Sequence, residues 1–184
     1  MFYHTMMGCK SSSPLPGSVV LVLVLLLSLS ATCDSFSGGG SAPSFLETGD
    51  CADFDIMEDF DIDRYTGSWY TILSIPSSYV HINSCNQYSI KRIKHRMQLN
   101  SLGFNERGNR QRQRAVLSRV KTEEGTYYET KSKGVPAVPY HIFASDYDSY
   151  ACIYSCLGII GLRAELYWVL SRNTTLQQEK IQYC

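Results

Sequence analysis

The most reactive side chains in this 184-residue chain are its cysteines: Cys9, Cys33, Cys51, Cys85, Cys152, Cys156 and Cys184. A cysteine attacks as a thiolate, ligates a metal or pairs in a disulfide. In a strand, Cys152 and Cys156 share one face with Tyr154 between them. A metal reading would join them to His81 and Cys85, but the spacings fit no common zinc pattern, so no metal is expected. A nucleophilic Cys152 needs a neighbouring cation to lower its pKa, and no sequence neighbour supplies one. The chain has no Gly-x-Ser-x-Gly elbow, no His-Glu-x-x-His and no glycine-rich phosphate loop. No catalytic residue and no cofactor are therefore assigned, and the chain is not read as an enzyme. In a secreted protein the cysteines read as disulfide material, with connectivity that sequence alone leaves open.

The start of the chain bears on that compartment. Lys10 precedes an apolar run beginning at Val19, which closes with Ser-Leu-Ser-Ala-Thr. The run is too short to span a bilayer and has the layout of a cleaved secretory signal over residues 1–32. Cys9 leaves with it, and the mature protein is expected to be extracellular. Residues 33–50 are rich in glycine and serine and read as a flexible linker. An acidic stretch from Glu47 to Asp63 follows, whose carboxylates suit the start of a short helix or a solvated face. The folded domain is placed at residues 51–184.

That domain carries short runs of β-branched and aromatic residues, separated by turn residues at the 8–12-residue spacing of an all-β fold. The strands fall at 68–74, 86–93, 97–102, 111–120, 126–133, 141–146, 151–157 and 164–172. Eight strands suit a closed antiparallel up-and-down barrel, which removes its edges and encloses about one small ligand. The overall charge is zero, yet ten Lys and Arg side chains between Lys91 and Lys121 face a single acid, Glu106. The plain reading is the solvated outer face of two hairpin strands; the alternative is attraction to an anionic lipid surface or an acidic partner. Arg112 and Arg114 share a face with Val116. Pointed inward, they would give the interior a cation for a carboxylate-bearing ligand. Nucleic acid is not expected, since no recognition motif is present.

Three stretches, in order, carry a resemblance. Asp61 to Ile72 reads as a helical turn, a corner at Gly67, then a strand opening on Trp69 and Tyr70. Ser145-Asp146-Tyr147-Asp148-Ser149-Tyr150 and Tyr167-Trp168-Val169-Leu170-Ser171-Arg172-Asn173 follow. These resemble the Gly-x-Trp corner, the Thr-Asp-Tyr-x-x-Tyr turn and the arginine-ended last strand of the lipocalins, over about residues 51–176. The likeness is strongest to the apolipoprotein D-like branch.

The resemblance implies an eight-stranded calyx with a short N-terminal helical turn. Its function would be reversible carriage of a small hydrophobic ligand: a pigment, sterol, retinoid or fatty acid. The alternatives are a subunit of a pigment–protein complex or a protein-partner ligand, with self-association as its mark. A lipocalin-type enzyme with Cys152 as a cavity nucleophile ranks lower. The ligand positions of the branch fall on Tyr88, Tyr140 and Trp168, aromatics with an apolar face and, in each case, a polar tip. Gly67, Trp69, Asp146, Tyr150 and Arg172 would hold the closed end, with the Arg172 guanidinium stacked on Trp69. The segment from Ile75 to Ser84 would form the mouth, with Tyr79, Val80 and Ile82 free to cover a ligand or touch a membrane or lipoprotein. The resemblance also implies a Cys51–Cys156 disulfide, and a second between Cys85 and a C-terminal cysteine, for which Cys184 is the candidate. Asn173-Thr174-Thr175 is a glycosylation sequon. The family follows its last barrel strand with a long helix and a further strand. Here residues 174–184 begin a helix, with threonine capping chemistry, and stop. The chain thus reads as a truncated product with an exposed barrel wall.

Overall fold

In the computed structural model, which describes residues 4–5, 46–53, 56–57, 59–75, 81–123, 125–133 and 135–184, eight antiparallel strands close into a barrel. They are β1 (Gly67–Ser74), β2 (Ser84–Ile93), β3 (Arg96–Phe104) and β4 (Arg110–Thr122), then β5 (Gly125–Ser132), β6 (Val135–Ser145), β7 (Tyr150–Ile159) and β8 (Leu162–Ser171). Each strand pairs with its sequence neighbours. β8 returns to β1 through Trp168 opposite Ser74 and Ser171 opposite Tyr70, so the barrel has no open edge among the described residues.

Alternation decides what faces in. Trp69, Ile90, Met97, Leu99, Leu117, Tyr128, Tyr140, Ile142, Ile153 and Leu170 meet in one buried cluster inside the barrel. The strands run longer than the sequence indicates. Most notably, β6 begins at Val135 rather than at 141. Pro139 lies opposite Glu129, and the β5–β6 register shifts between Thr130 and Ser132. Proline lacks a ladder donor and is tolerated where pairing is already irregular.

Helix α1 (Ile62–Tyr65) closes one end. Asp61 caps it by accepting from the backbone N–H groups of Asp63 (2.9 Å) and Arg64 (3.2 Å). At the other end of the chain, α2 (Gln178–Tyr183) has Gln177 as its N-cap with no side-chain cap, so the threonine capping expected from sequence is not made. Thr174 and Thr175 instead lie in the turn before it, where Ser171 Oγ donates to the Thr175 carbonyl.

Part of the expected linker is ordered. Leu46–Thr48 pairs antiparallel with Ala164, Arg163 and Leu162 of β8, and Arg163 donates to Glu47 at 3.0 Å and to the Asp50 carbonyl at 3.2 Å. The first residues of β8 extend past β1, and there Arg163 offers this acidic segment both a ladder and an ion pair. The leader read at residues 1–32 lies outside the described residues apart from His4–Thr5, which pairs with Ser74 and Leu73 of β1.

Candidate functional site

The closed end is built around Trp69. Gly67 turns the chain into β1 at φ 105, a backbone angle that glycine adopts without strain. Two residues later the indole of Trp69 is fully buried, and its Nε1 donates to the Tyr65 carbonyl at 2.8 Å. The Arg172 guanidinium lies 3.8 Å above the indole. It donates to the carbonyls of Tyr147 (2.9 Å), Ser68 (3.0 Å) and Arg64 (2.8 Å), joining β1, α1 and the β6–β7 turn.

That turn is organised by Asp146, whose Oδ1 accepts from the N–H groups of Ser149 (2.7 Å), Tyr150 (3.0 Å) and Asp148 (3.2 Å). Burial pushes its pKa up, but the bonds from Ser149, Tyr150 and Asp148 outweigh it and hold the carboxyl below its usual value. A depressed folded pKa stabilises the native state above the unfolded value, near 3.8. That contribution is lost as pH falls through the lower folded value. Asp146→Asn is therefore expected to cost about 1–2 kcal/mol at neutral pH from weakened hydrogen bonds. It should also flatten the fall in stability below about pH 4. Urea unfolding of both proteins across that range checks this.

Above the closed end lies a cavity of about 110 Å³. It is smaller than the roughly 300–1,000 Å³ of drug-sized sites. Tyr88, Tyr140 and Trp168, the three aromatics named from the resemblance, all line it. The Tyr140 and Trp168 rings lie nearly parallel, 6.2 Å apart. Around them are Ile82, Leu99, Ala115, Val138 and Leu166, with the neutral polar groups of Asn86, Ser101, Gln113, Thr130 and Ser132. Tyr140 is joined in turn to the closed end, its Oη lying 3.0 Å from Tyr65 Oη in a buried pair. Burial raises the pKa of both, and of Tyr88, so all three are neutral phenols at physiological pH.

Two of these residues escaped the sequence reading. Tyr65 stands four positions before Trp69, one helical turn under it, and Asn86 shares a strand face with Tyr88. Both spacings were present in the sequence.

The Cys184 pairing differs from the expectation, and three alternatives are decided. Arg112 and Arg114 face outward and are exposed, because the alternate residues Gln113 and Ala115 take the inward positions. They line a groove of about 470 Å³ on the outer wall with Gln87, Ser89, Asn100 and Leu102, so the interior gains no cation from them. Cys184 is bonded not to Cys85 but to Cys152. After β8 the chain turns back through α2, packs Tyr183 edge-on against Tyr150 and arrives with Cys184 Cα 5.4 Å from that of Cys152. Cys85 is itself disulfide-bonded. Cys152 is therefore no cavity nucleophile: it lies on the outward face of β7, opposite Val169, and its sulfur is in a bridge. Finally, Ile82 is 2% exposed and lines the cavity, so of its two expected roles it is placed to cover a ligand and not to touch a membrane. Tyr79 and Val80 lie outside the described residues.

Cys51 is bonded to Cys156, tying the N-terminal segment to β7. There the Tyr154 hydroxyl accepts from Ala52 N–H and donates to Glu165. Tyr150 is buried at the start of β7, with the Lys180 ammonium over its ring. Asn173 is exposed just beyond β8. His81 is exposed, and no group of three metal-binding side chains occurs among the described residues.

A closed eight-stranded calyx with an uncharged, aromatic-walled interior defines a class of binding proteins rather than one protein. Residues 66–184 match the model of the lipocalin / cytosolic fatty-acid binding protein family, and the chain belongs to that family. Among its relatives, apolipoprotein D of Cavia porcellus is 34% identical over 171 residues, covering 91% of this chain and 85% of that protein. The crustacyanin-A1 subunit of Homarus gammarus is 25% identical over 150 residues, covering 77% and 81%. Lobster apocrustacyanin A1 has a similar solved structure, with TM-score 0.66 and 22% identity over 77% of this chain and 82% of that one. No helix among the described residues is long and apolar enough to cross a membrane.

Proposed function

We propose that this protein is a secreted carrier that binds a small hydrophobic ligand reversibly inside the barrel. The observation that carries the reading is the cavity itself: its described lining is uncharged, it is walled by Tyr88, Tyr140 and Trp168, and it lies inside a closed barrel. Burial of ligand apolar surface, at about 25 cal/mol per Å² before binding costs, would drive uptake. The similarity to apolipoprotein D supports the reading. Disulfides at Cys51–Cys156 and Cys152–Cys184 support an oxidising, extracellular compartment, where the exposed Asn173 sequon is a glycosylation site.

A displacement titration tests it. An environment-sensitive lipophilic fluorophore should bind with one-to-one stoichiometry and be displaced by small apolar competitors. Trp168→Ala, which removes a large part of the cavity wall, is expected to weaken the fluorophore by about tenfold or more. Unchanged affinity would place the fluorophore outside the barrel.

The similarity to a protein named as a crustacyanin subunit supports a second reading, a component of a pigment–protein assembly. Ile93 (49% exposed) and Phe104 (40% exposed) are apolar side chains open to a second copy or to a lipoprotein surface. A visible absorption band together with a particle larger than one chain would favour the assembly; a colourless monomer would favour the simple carrier.

A further inference from the structure

We infer that Asn86 selects the ligand: the cavity takes a neutral lipophile carrying a hydroxyl, and that hydroxyl donates to the Asn86 amide oxygen. The inference rests on the carrier reading and names its ligand class. Asn86 lines the cavity and is 4% exposed. Its Nδ2 donates to the Tyr88 hydroxyl at 3.1 Å, whereas its Oδ1 is buried with no hydrogen-bond partner. No protein group donates to this buried amide oxygen, and an acceptor left so is costly to bury. A ligand O–H restores the missing bond.

The backbone here is shaped locally as well. The β2–β3 register slips between Ser84 and Gln87, and Cys85 stands at φ 52, so β2 carries an extra residue beside Asn86. Such bulges bend a strand and re-aim its side chains, often next to functional sites. Gly103 on β3 admits the bulge, since a Cβ there would lie 2.7 Å from the Ser84 carbonyl oxygen and 2.4 Å from Ile82 Cγ2. The remaining lining residues are uncharged. An ionised carboxylate in this cavity would be buried without a cation, which is far more costly than burying a neutral hydroxyl.

Calorimetric titration of the delipidated, disulfide-intact protein at neutral pH with three probes tests the assignment. The probes are 1-octanol, its isomer heptyl methyl ether (which has no O–H) and octanoate. The native protein is expected to bind octanol about tenfold tighter than either of the others, the worth of one well-made hydrogen bond. Asn86→Leu should abolish the preference over the ether while leaving the Tm of the empty protein unchanged or higher, a combination that a purely structural asparagine would not give. Tyr88→Phe is the second variant: it frees Asn86 Nδ2, so the ether, an acceptor only, should gain on octanol. Equal binding of octanol and ether by the native protein, or an octanol-to-ether ratio that neither variant alters, overturns the role of Asn86 and leaves the carrier reading standing. Binding of none of the three overturns both.

Discussion

Trp69→Ala is expected to cost about 3–5 kcal/mol, the range for truncating a large buried aromatic. Set against a total stability of about 5–15 kcal/mol for a domain, that leaves the barrel marginal or unfolded. The expectation follows from what the indole touches. It is fully buried, donates to the Tyr65 carbonyl and forms the surface on which Arg172 lies. Its removal therefore opens a cavity and also loosens the arginine that holds three backbone segments. Tyr65, whose ring lies 5.2 Å from the indole, would lose its packing too, and with it support for its hydrogen-bond partner Tyr140 in the cavity wall. Arg172→Lys separates the two contributions. It keeps the charge but loses the planar fork that reaches the Arg64, Ser68 and Tyr147 carbonyls, and should cost about 1–3 kcal/mol. Chemical denaturation of the three proteins gives the order native, Arg172→Lys, Trp69→Ala. A Trp69→Ala protein as stable as the native one would remove the closed end from this account.

Loss of the Cys51–Cys156 bridge ranks beside it. The bond spans 105 residues, against 32 for Cys152–Cys184. In the chain-entropy model the longer loop contributes about 4.7 kcal/mol and the shorter about 3.7 kcal/mol. The paired substitution Cys51→Ser, Cys156→Ser should thus lower stability more than Cys152→Ser, Cys184→Ser. The local consequences differ further. Without the first bridge, the described N-terminal segment still has its short pairing with β8, the Gly49–Gly161 backbone bond, the Arg163 contacts and the Ala52–Tyr154 bond. Without the second, α2 keeps the Tyr183–Tyr150 contact and the Lys180–Tyr150 contact. Unfolding by urea, with hydrogen exchange at residues 46–53 and 178–184, checks both the order and the location. The reverse order would mean that the C-terminal segment, not the N-terminal one, bears the larger share.

The sequence conveyed what is local and missed what depends on the path of the chain. The Gly67 corner, the burial of Trp69 and the Asp61 cap each follow from a few adjacent residues, and the strands from alternation. The pairing of Cys184 does not, because it is fixed by how sharply the chain turns after Ser171. The resemblance supplied a partner suited to a longer C-terminal segment. The facing of Arg112 and Arg114 turns on a one-residue choice of register: shifting it by one residue exchanges every inward side chain for an outward one. Leu46–Thr48 lies in a stretch whose composition reads as flexible; its pairing with the start of β8 and its contacts with Arg163 come from the fold, not from its own residues. Asn86 could have been singled out by its place two residues before Tyr88, but its unpaired oxygen is a property of the folded cavity.

The central claim is that the barrel carries a small apolar molecule. It is tested most directly on protein secreted by its own cells and purified without detergent. Visible absorption is recorded first; the protein is then extracted with organic solvent and the extract identified by mass spectrometry. The account predicts a near-stoichiometric, neutral lipophile bearing a hydroxyl, depleted in an extract of the Trp168→Ala protein prepared alongside. A soluble native protein that yields no lipophile, and binds none when offered it, would contradict the account.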